Sequence, residues 1–256
     1  MRWPVLFVSH GSPMLAVEPG RTGATLAAWS RARARPTAIL AISPHWREPG
    51  LVVGTRARQE AWHDFGGFPQ ELYRLQYGPP GSPDLAQRVQ ALLSGQGYAV
   101  REDAARPLDH GVWVPLRYLY PDADVPVTPL ALDARLDAAG QYRVGVALRA
   151  LRDEGVLILA TGSMTHNLRH VAAGHDAQPL PYVSGFQQWF ADRFARADTP
   201  ALLDWSAQAP DVRAAHPHDD HLMPLFVAWG AGEGAATRLV DEIAYGALAM
   251  DAYQFD

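Results

Sequence analysis

The stretch Val156-Leu-Ile-Leu-Ala-Thr-Gly162-Ser-Met-Thr-His166-Asn167 decides the fold. Five aliphatic residues run without a polar break and end at a Thr-Gly pair. A short, unbroken apolar run of this kind reads as a strand buried on both faces. Strands of that type belong to parallel sheets covered by helices. Working outward, residues 4–9, 38–43 and 125–130 read the same way, with 51–54 and 98–101 as shorter strands. Helical patterns lie between them, over 22–34, 83–93 and 138–154. Ser82-Pro83 is a start signal for the second and Gly155 a stop for the third. Residues 113–119 read as a short helix, 182–195 and 200–208 as surface helices, and 221–229 as a helix with Pro224 in its first turn. Residues 236–256 alternate weakly, as a terminal hairpin would. Residues 61–82 form a long loop rich in Gly, Pro and aromatics. The alternation predicts one α/β domain over residues 1–256, with a central mixed, mainly parallel sheet flanked by helices.

Composition removes whole classes of chemistry. The chain has 256 residues, 48% hydrophobic and 19% charged, which supports a sizeable core. It contains no cysteine, so disulfides, thiolate metal sites and cysteine nucleophiles are excluded. All 22 basic residues counted as Lys or Arg are Arg, which removes lysine Schiff bases and P-loop lysines. The net charge of -5 and the lack of a basic stripe argue against a nucleic-acid partner. No apolar run reaches membrane-span length, and the first strand is shorter than a signal-peptide core. A cytoplasmic protein is the expectation.

Any metal must then be held mainly by His, Asp or Glu, and four histidines stand where ligands are expected. His10 follows the first strand in Ser9-His-Gly-Ser-Pro13. His45 follows the second in Ser43-Pro-His-Trp46. His166 follows the run quoted above. His221 opens a helix after a polar His/Asp run. In an open α/β sheet, ligands bind at the carboxyl ends of strands, so histidines carried there can converge on one metal. Each also has a plainer reading, as a helix cap, a packed polar residue or a solvated turn residue. Asp109-His110-Gly111 and His63-Asp-Phe-Gly-Gly-Phe-Pro69 are further candidate substrate-facing loops, or simply turns. His216, His218, Asp219 and Asp220 read as solvated or supporting residues. The Gly230-Ala-Gly-Glu-Gly234 run follows a helix, which fits poorly with a dinucleotide site.

Taken together, His10-Gly-Ser-Pro13, Ser43-Pro-His-Trp46, His63-Asp-Phe-Gly-Gly-Phe-Pro69, Leu108-Asp-His-Gly111, Gly162-Ser-Met-Thr-His-Asn-Leu168 and His216-Pro followed by His221-Leu-Met-Pro-Leu225 resemble the class III extradiol ring-cleaving dioxygenases. The likeness is to their DOPA-dioxygenase-like branch. It implies a metal held by His10, His45 and His221, in place of the two histidines and a carboxylate common in the wider superfamily. It implies Fe(II) in the active form, with Zn(II) as an alternative occupant. It makes His166 the catalytic histidine, and a candidate fourth ligand in a zinc-loaded form, and His110 a second catalytic histidine. Asp109, His63 and Trp46 become candidate substrate contacts, and Trp46, Phe65, Phe68 and Trp113 candidate aromatic walls. The implied reaction is O₂-dependent opening of a substituted catechol, DOPA-like or caffeate-like, to a muconic semialdehyde. A zinc-dependent hydrolase on the same histidines and a non-catalytic metal-binding module are the competing readings.

Overall fold

The computed structural model describes residues 2–234 and 236–256; Met1 and Ala235 lie outside them. Its strands are β1 (Val5–Ser9), β2 (Ala38–Glu48), β3 (Leu51–Gly54), β4 (Val100–Asp103), β5 (Val127–Asp133), β6 (Val156–Gly162), β7 (Ala236–Val240), β8 (Ile243–Ala244), β9 (Leu248–Ala249) and β10 (Ala252–Phe255). All but β8 and β9 join one eight-stranded sheet, ordered β4-β3-β5-β2-β6-β1-β10-β7. The middle strands β5, β2, β6 and β1 run parallel. β10 is antiparallel to β1 and β7, and β3 to β5. The sheet is therefore mixed and mainly parallel.

The helices are α1 (Gly20–Arg31), α2 (Pro83–Ser94), α3 (His110–Leu119), α4 (Ala138–Leu148), α5 (Pro181–Ala195), α6 (Thr199–Leu203), α7 (Trp205–Gln208), α8 (Val212–Ala215) and α9 (Met223–Ala231). They cover both faces of the sheet. In β6, Val156, Ile158 and Ala160 enter one apolar cluster and Leu157 and Leu159 the other. β1 divides in the same way, Val5 and Phe7 against Leu6 and Val8. The first cluster is closed by α2, α4, α5 and α9, through residues such as Val89, Leu148, Phe190 and Phe226. The second is closed by α1 and α3, through Leu26, Trp29 and Trp113. Each fully buried aliphatic or Phe side chain contributes about 1.5–3 kcal/mol, so burial on both faces holds the central strands between the two helical layers.

Several boundaries differ from expectation for local reasons. β2 does not stop at Ser43. It continues past Pro44 to Glu48, with its register on β5 shifted between Ser43 and Arg47. α3 begins at His110, because a carboxylate remote in sequence caps it. α4 ends at Leu148 and tightens into a 3₁₀ turn at Arg149–Arg152, and Gly155 leaves with φ +83°. Segment 200–208 breaks into α6 and α7, and its Leu202 and Trp205 are buried rather than on the surface. The long loop carries a 3₁₀ turn at Leu72–Arg74 and is tied down by bridges Arg58–Pro80 and Ala61–Leu108. At the chain end, β7 and β10 pair as an antiparallel ribbon, with β8 and β9 as a small hairpin between them. Among the described residues, no helix is long and apolar enough to cross a membrane.

Candidate metal centre

His10 leaves β1 directly. Its N–H donates to the Gly162 carbonyl at 2.9 Å, which locks the end of β1 to the end of β6. Gly11 then turns with φ +56°, and a Cβ there would lie 2.4 Å from Met250 Sδ. A tight left-handed turn in that space requires glycine.

His45 sits on a bulge. Ser43 pairs with Ala131 and Arg47 with Leu132, so Pro44, His45 and Trp46 have no partner on β5. Bulges redirect side chains next to functional sites. This one is latched on two sides. Ser43 Oγ accepts from the His45 N–H at 3.3 Å and donates to Asp109 Oδ1 at 2.7 Å. On the other side, Arg106 donates to the His45 carbonyl at 2.6 Å. The Arg106 guanidinium lies 4.6 Å from the Trp62 ring centre and 5.4 Å from that of Trp46.

His221 occupies the turn before α9. Its carbonyl accepts from Ser163 N–H at 2.9 Å. A Cβ on Gly162 would come within 2.2 Å of that carbonyl, so the glycine ending β6 is what lets this turn close in.

Ring nitrogens of His10, His45 and His221 all lie within 4.8 Å of one another. The two Nε2 atoms of His10 and His45 are 3.1 Å apart. His10 Nδ1 and His221 Nε2 are buried with no hydrogen-bond partner, which ordinarily costs about 1–3 kcal/mol each. Burial, and next the neighbouring imidazoles, hold His10 and His45 well below the ordinary histidine value. Converging imidazoles, with burial disfavouring the cationic forms of His10 and His45, suit a divalent cation. The three residues could therefore hold a metal.

His166 is placed by the loop after β6. Ser163 Oγ donates to the Thr165 carbonyl at 2.7 Å, Thr165 Oγ1 to the Ala247 carbonyl at 2.8 Å, and His166 N–H to the Ala215 carbonyl at 2.8 Å. Its ring stacks on His221, with centres 3.5 Å apart and planes 7° from parallel. Its nitrogen groups with His221 and Asp220 rather than with His10 and His45. Asp220 Oδ2 also lies 3.2 Å from His221 Nδ1. Burial, and then His221, push His166 down to about 3, so it is neutral near pH 7.

His110 is the first residue of α3, and its ring centre lies 4.2 Å from that of His45. One carboxylate oxygen of Asp64 accepts from both its backbone N–H, at 3.0 Å, and its Nδ1, at 2.9 Å. That atom caps the helix and fixes the tautomer together. Burial opposes ionisation of Asp64, but the His110 hydrogen bond outweighs it and holds the carboxyl below the ordinary range. Asp64 stands in the His63-Asp-Phe-Gly-Gly-Phe-Pro69 motif, where its neighbour His63 was the expected substrate contact.

The structure does not bring the remaining expected substrate contacts into the cavity. His63 bonds the Leu75 carbonyl at 3.0 Å and lies edge-on to Phe65 and Trp113, supporting the loop from behind. Asp109 is buried on Ser43, and burial raises its carboxyl. Trp46 is buried with Val52 and Ala131. Successive side chains of an extended segment face opposite ways, so a segment aiming His45 inward turns Trp46 out. Trp113 is fully buried behind Phe65. His216, read as a solvated or supporting residue, is buried and bonds the Met164 carbonyl at 2.8 Å, the supporting place.

A cavity of about 520 Å³ opens over the cluster. His45, His110, His166 and His221 line it, with Phe65 and Phe68 among its walls. A wider groove of about 880 Å³, beside Trp205, Arg213 and His218, holds none of the five clustered histidines.

Against known proteins, residues 4–252 match the family described as the catalytic LigB subunit of aromatic ring-opening dioxygenase. The chain is 38% identical to a 4,5-DOPA dioxygenase extradiol of Beta vulgaris over 91% of this chain and 89% of that one. It is 36% identical to the protein of the same name from Escherichia coli K12, over 97% and 93%. A crystal structure of an uncharacterized Escherichia coli K12 protein superposes with a TM-score of 0.86 at 31% identity, covering both chains fully. Fold, motif order and these matches agree: the chain belongs to the LigB family of aromatic ring-opening, class III extradiol dioxygenases.

Proposed function

We propose that this protein opens the ring of a substituted catechol beside its two hydroxyls, consuming O₂ and releasing a muconic semialdehyde. The observation that carries this reading is the convergence of ring nitrogens of His10, His45 and His221, the first and last buried, beside a cavity with aromatic walls. These three would hold the metal. Fe(II), rather than redox-inert Zn(II), would supply the electron-transfer chemistry that lets a closed-shell catechol react with O₂.

The other residues handle protons and position. His166, which lines the same cavity, accepts a proton from a substrate hydroxyl. With Asp64 accepting from Nδ1–H, His110 keeps a lone pair on Nε2, which accepts a hydrogen bond from a hydroxyl. Phe65 and Phe68, packed edge-to-face with ring centres 5.4 Å apart, offer apolar walls to an aromatic ring and limit its contact with water. His166 sits outside the His10, His45 and His221 set and groups with Asp220 and His221, and its place on the cavity wall supports a proton-transfer role.

The test is O₂ uptake by anaerobically Fe(II)-loaded protein given a catechol panel that spans 4-ethylcatechol, dopamine, DOPA and caffeate. Stoichiometric uptake with a yellow semialdehyde product is expected. No uptake by any member, with iron shown to be bound, would refute the proposal and favour hydrolytic chemistry.

A further inference from the structure

Resting on the reading just given, we infer that the cavity selects catechols whose ring substituent is uncharged and apolar. It discriminates against those that carry a carboxylate. A ring held at the histidines leaves the rest of the 520 Å³ cavity to its substituent. That remainder is formed largely by Met14, Phe68, Leu168, Val171 and Leu248. Leu168 is 66% exposed yet lines the cavity, so it stands at the mouth.

Among the described lining residues, none is Arg, Asp or Glu, and the chain has no lysine. Apart from the histidines, the polar side chains are Ser12 and Tyr245. Tyr245 is engaged, its Oη donating to Glu18 Oε2 at 2.8 Å, while Ser12 Oγ accepts from Met14 N–H at 3.2 Å and keeps one neutral donor. The charged side chain tied to this wall is the exposed carboxylate of Glu18. A substituent carboxylate would lose water and find no cationic side chain in the lining. Unpaired burial of charge is costly, whereas an alkyl group would exchange water for apolar contact. Arg169 follows Leu168 in sequence but is exposed and outside the lining.

The test is equilibrium binding to the anaerobic Fe(II)-loaded protein, followed by turnover. The ligands are 4-ethylcatechol, dopamine and 3-(3,4-dihydroxyphenyl)propionate, which share a catechol and differ in charge. 4-Ethylcatechol is expected to bind at least tenfold more tightly than the propionate and to lead the series in kcat/KM. Equal or tighter binding by either charged member overturns the inference. Leu168→Arg places a cation at the mouth and should improve the propionate relative to 4-ethylcatechol by about threefold or more, the scale of one partly exposed ion pair. Arg169→Ala should leave the ranking unchanged; a loss of propionate binding there would show that Arg169 reaches the substituent and would overturn the inference. The binding ranking with no O₂ consumed by any ligand would refute ring cleavage while leaving the selectivity intact. Cleavage with the opposite ranking would do the reverse.

Discussion

Removing Asp64 should separate its two duties toward His110. Its side chain is 9% exposed and one oxygen accepts from the His110 backbone N–H and Nδ1, at 3.0 and 2.9 Å. A hydrogen bond to a charged group contributes about 1.5–3 kcal/mol, and loss of a helix N-cap costs about 0.5–2 kcal/mol. The two share an atom and do not add fully, so Asp64→Ala should destabilise by about 2–4 kcal/mol. For a chain of this size that corresponds to a melting temperature lower by roughly 5–15 °C. Asp64→Asn keeps an oxygen acceptor for both donors but removes the charge that strengthens them, and should lose less stability. Both variants should lose turnover by about 10–100-fold, the scale seen when a partner orienting an active-site histidine is removed. Denaturant unfolding of Asp64→Ala, His110→Ala and the double variant isolates the side-chain part, because the backbone N–H survives in all three. A coupling of about 1.5–3 kcal/mol is expected. A coupling below about 0.5 kcal/mol, or an Asp64→Ala protein as stable as the parent, would refute the reasoning.

Three further outcomes follow from other contacts. Arg106→Lys loses the planar stack between Trp46 and Trp62 and weakens the hold on the His45 carbonyl; metal affinity by calorimetry should fall about tenfold with the circular dichroism unchanged, and unaltered affinity would remove Arg106 from the account. Gly162→Ala forces a methyl to 2.2 Å from the His221 carbonyl and should cost about 1–3 kcal/mol in unfolding free energy, with weakened metal binding; a neutral effect on both would show that the turn is free to move. Burial holds Asp251 up at about 6, against 3.8 when unfolded, despite Arg238 and Gln187. The folded state binds the extra proton between those values, so Asp251 contributes less stability as pH rises from about 4 to about 6, by at most about 3 kcal/mol; Asp251→Asn should flatten that slope, and parallel profiles for parent and variant would contradict it.

The central sheet was legible because double-sided burial leaves an unbroken aliphatic run, as in β6 and β1. His10 and His166 were legible for the same reason, since the β1 run ends at Ser9 and the β6 run ends four residues before His166. The bulge at His45 was not. Beyond Pro44 the strand leaves the core, so exposed Arg47 and half-buried Glu48 carry no apolar signal for pairing with β5. That hidden continuation also misplaced Trp46, whose outward face follows from the extended backbone. His63 and Asp64 illustrate a different limit. Adjacent loop residues face different ways, and no periodicity in an irregular segment says which one turns inward. Asp109 carries a helix-start signal and a Ser43 contact that only the tertiary fold brings together.

A metal-holding role for His10 and a proton-transfer role for His166 separate in the metal content and affinity of His10→Ala and His166→Ala, measured beside single-turnover rates. His10→Ala should lose the metal. His166→Ala should keep one metal per chain and lose turnover by about 100-fold or more. Equal loss of metal from both variants would refute this division of roles.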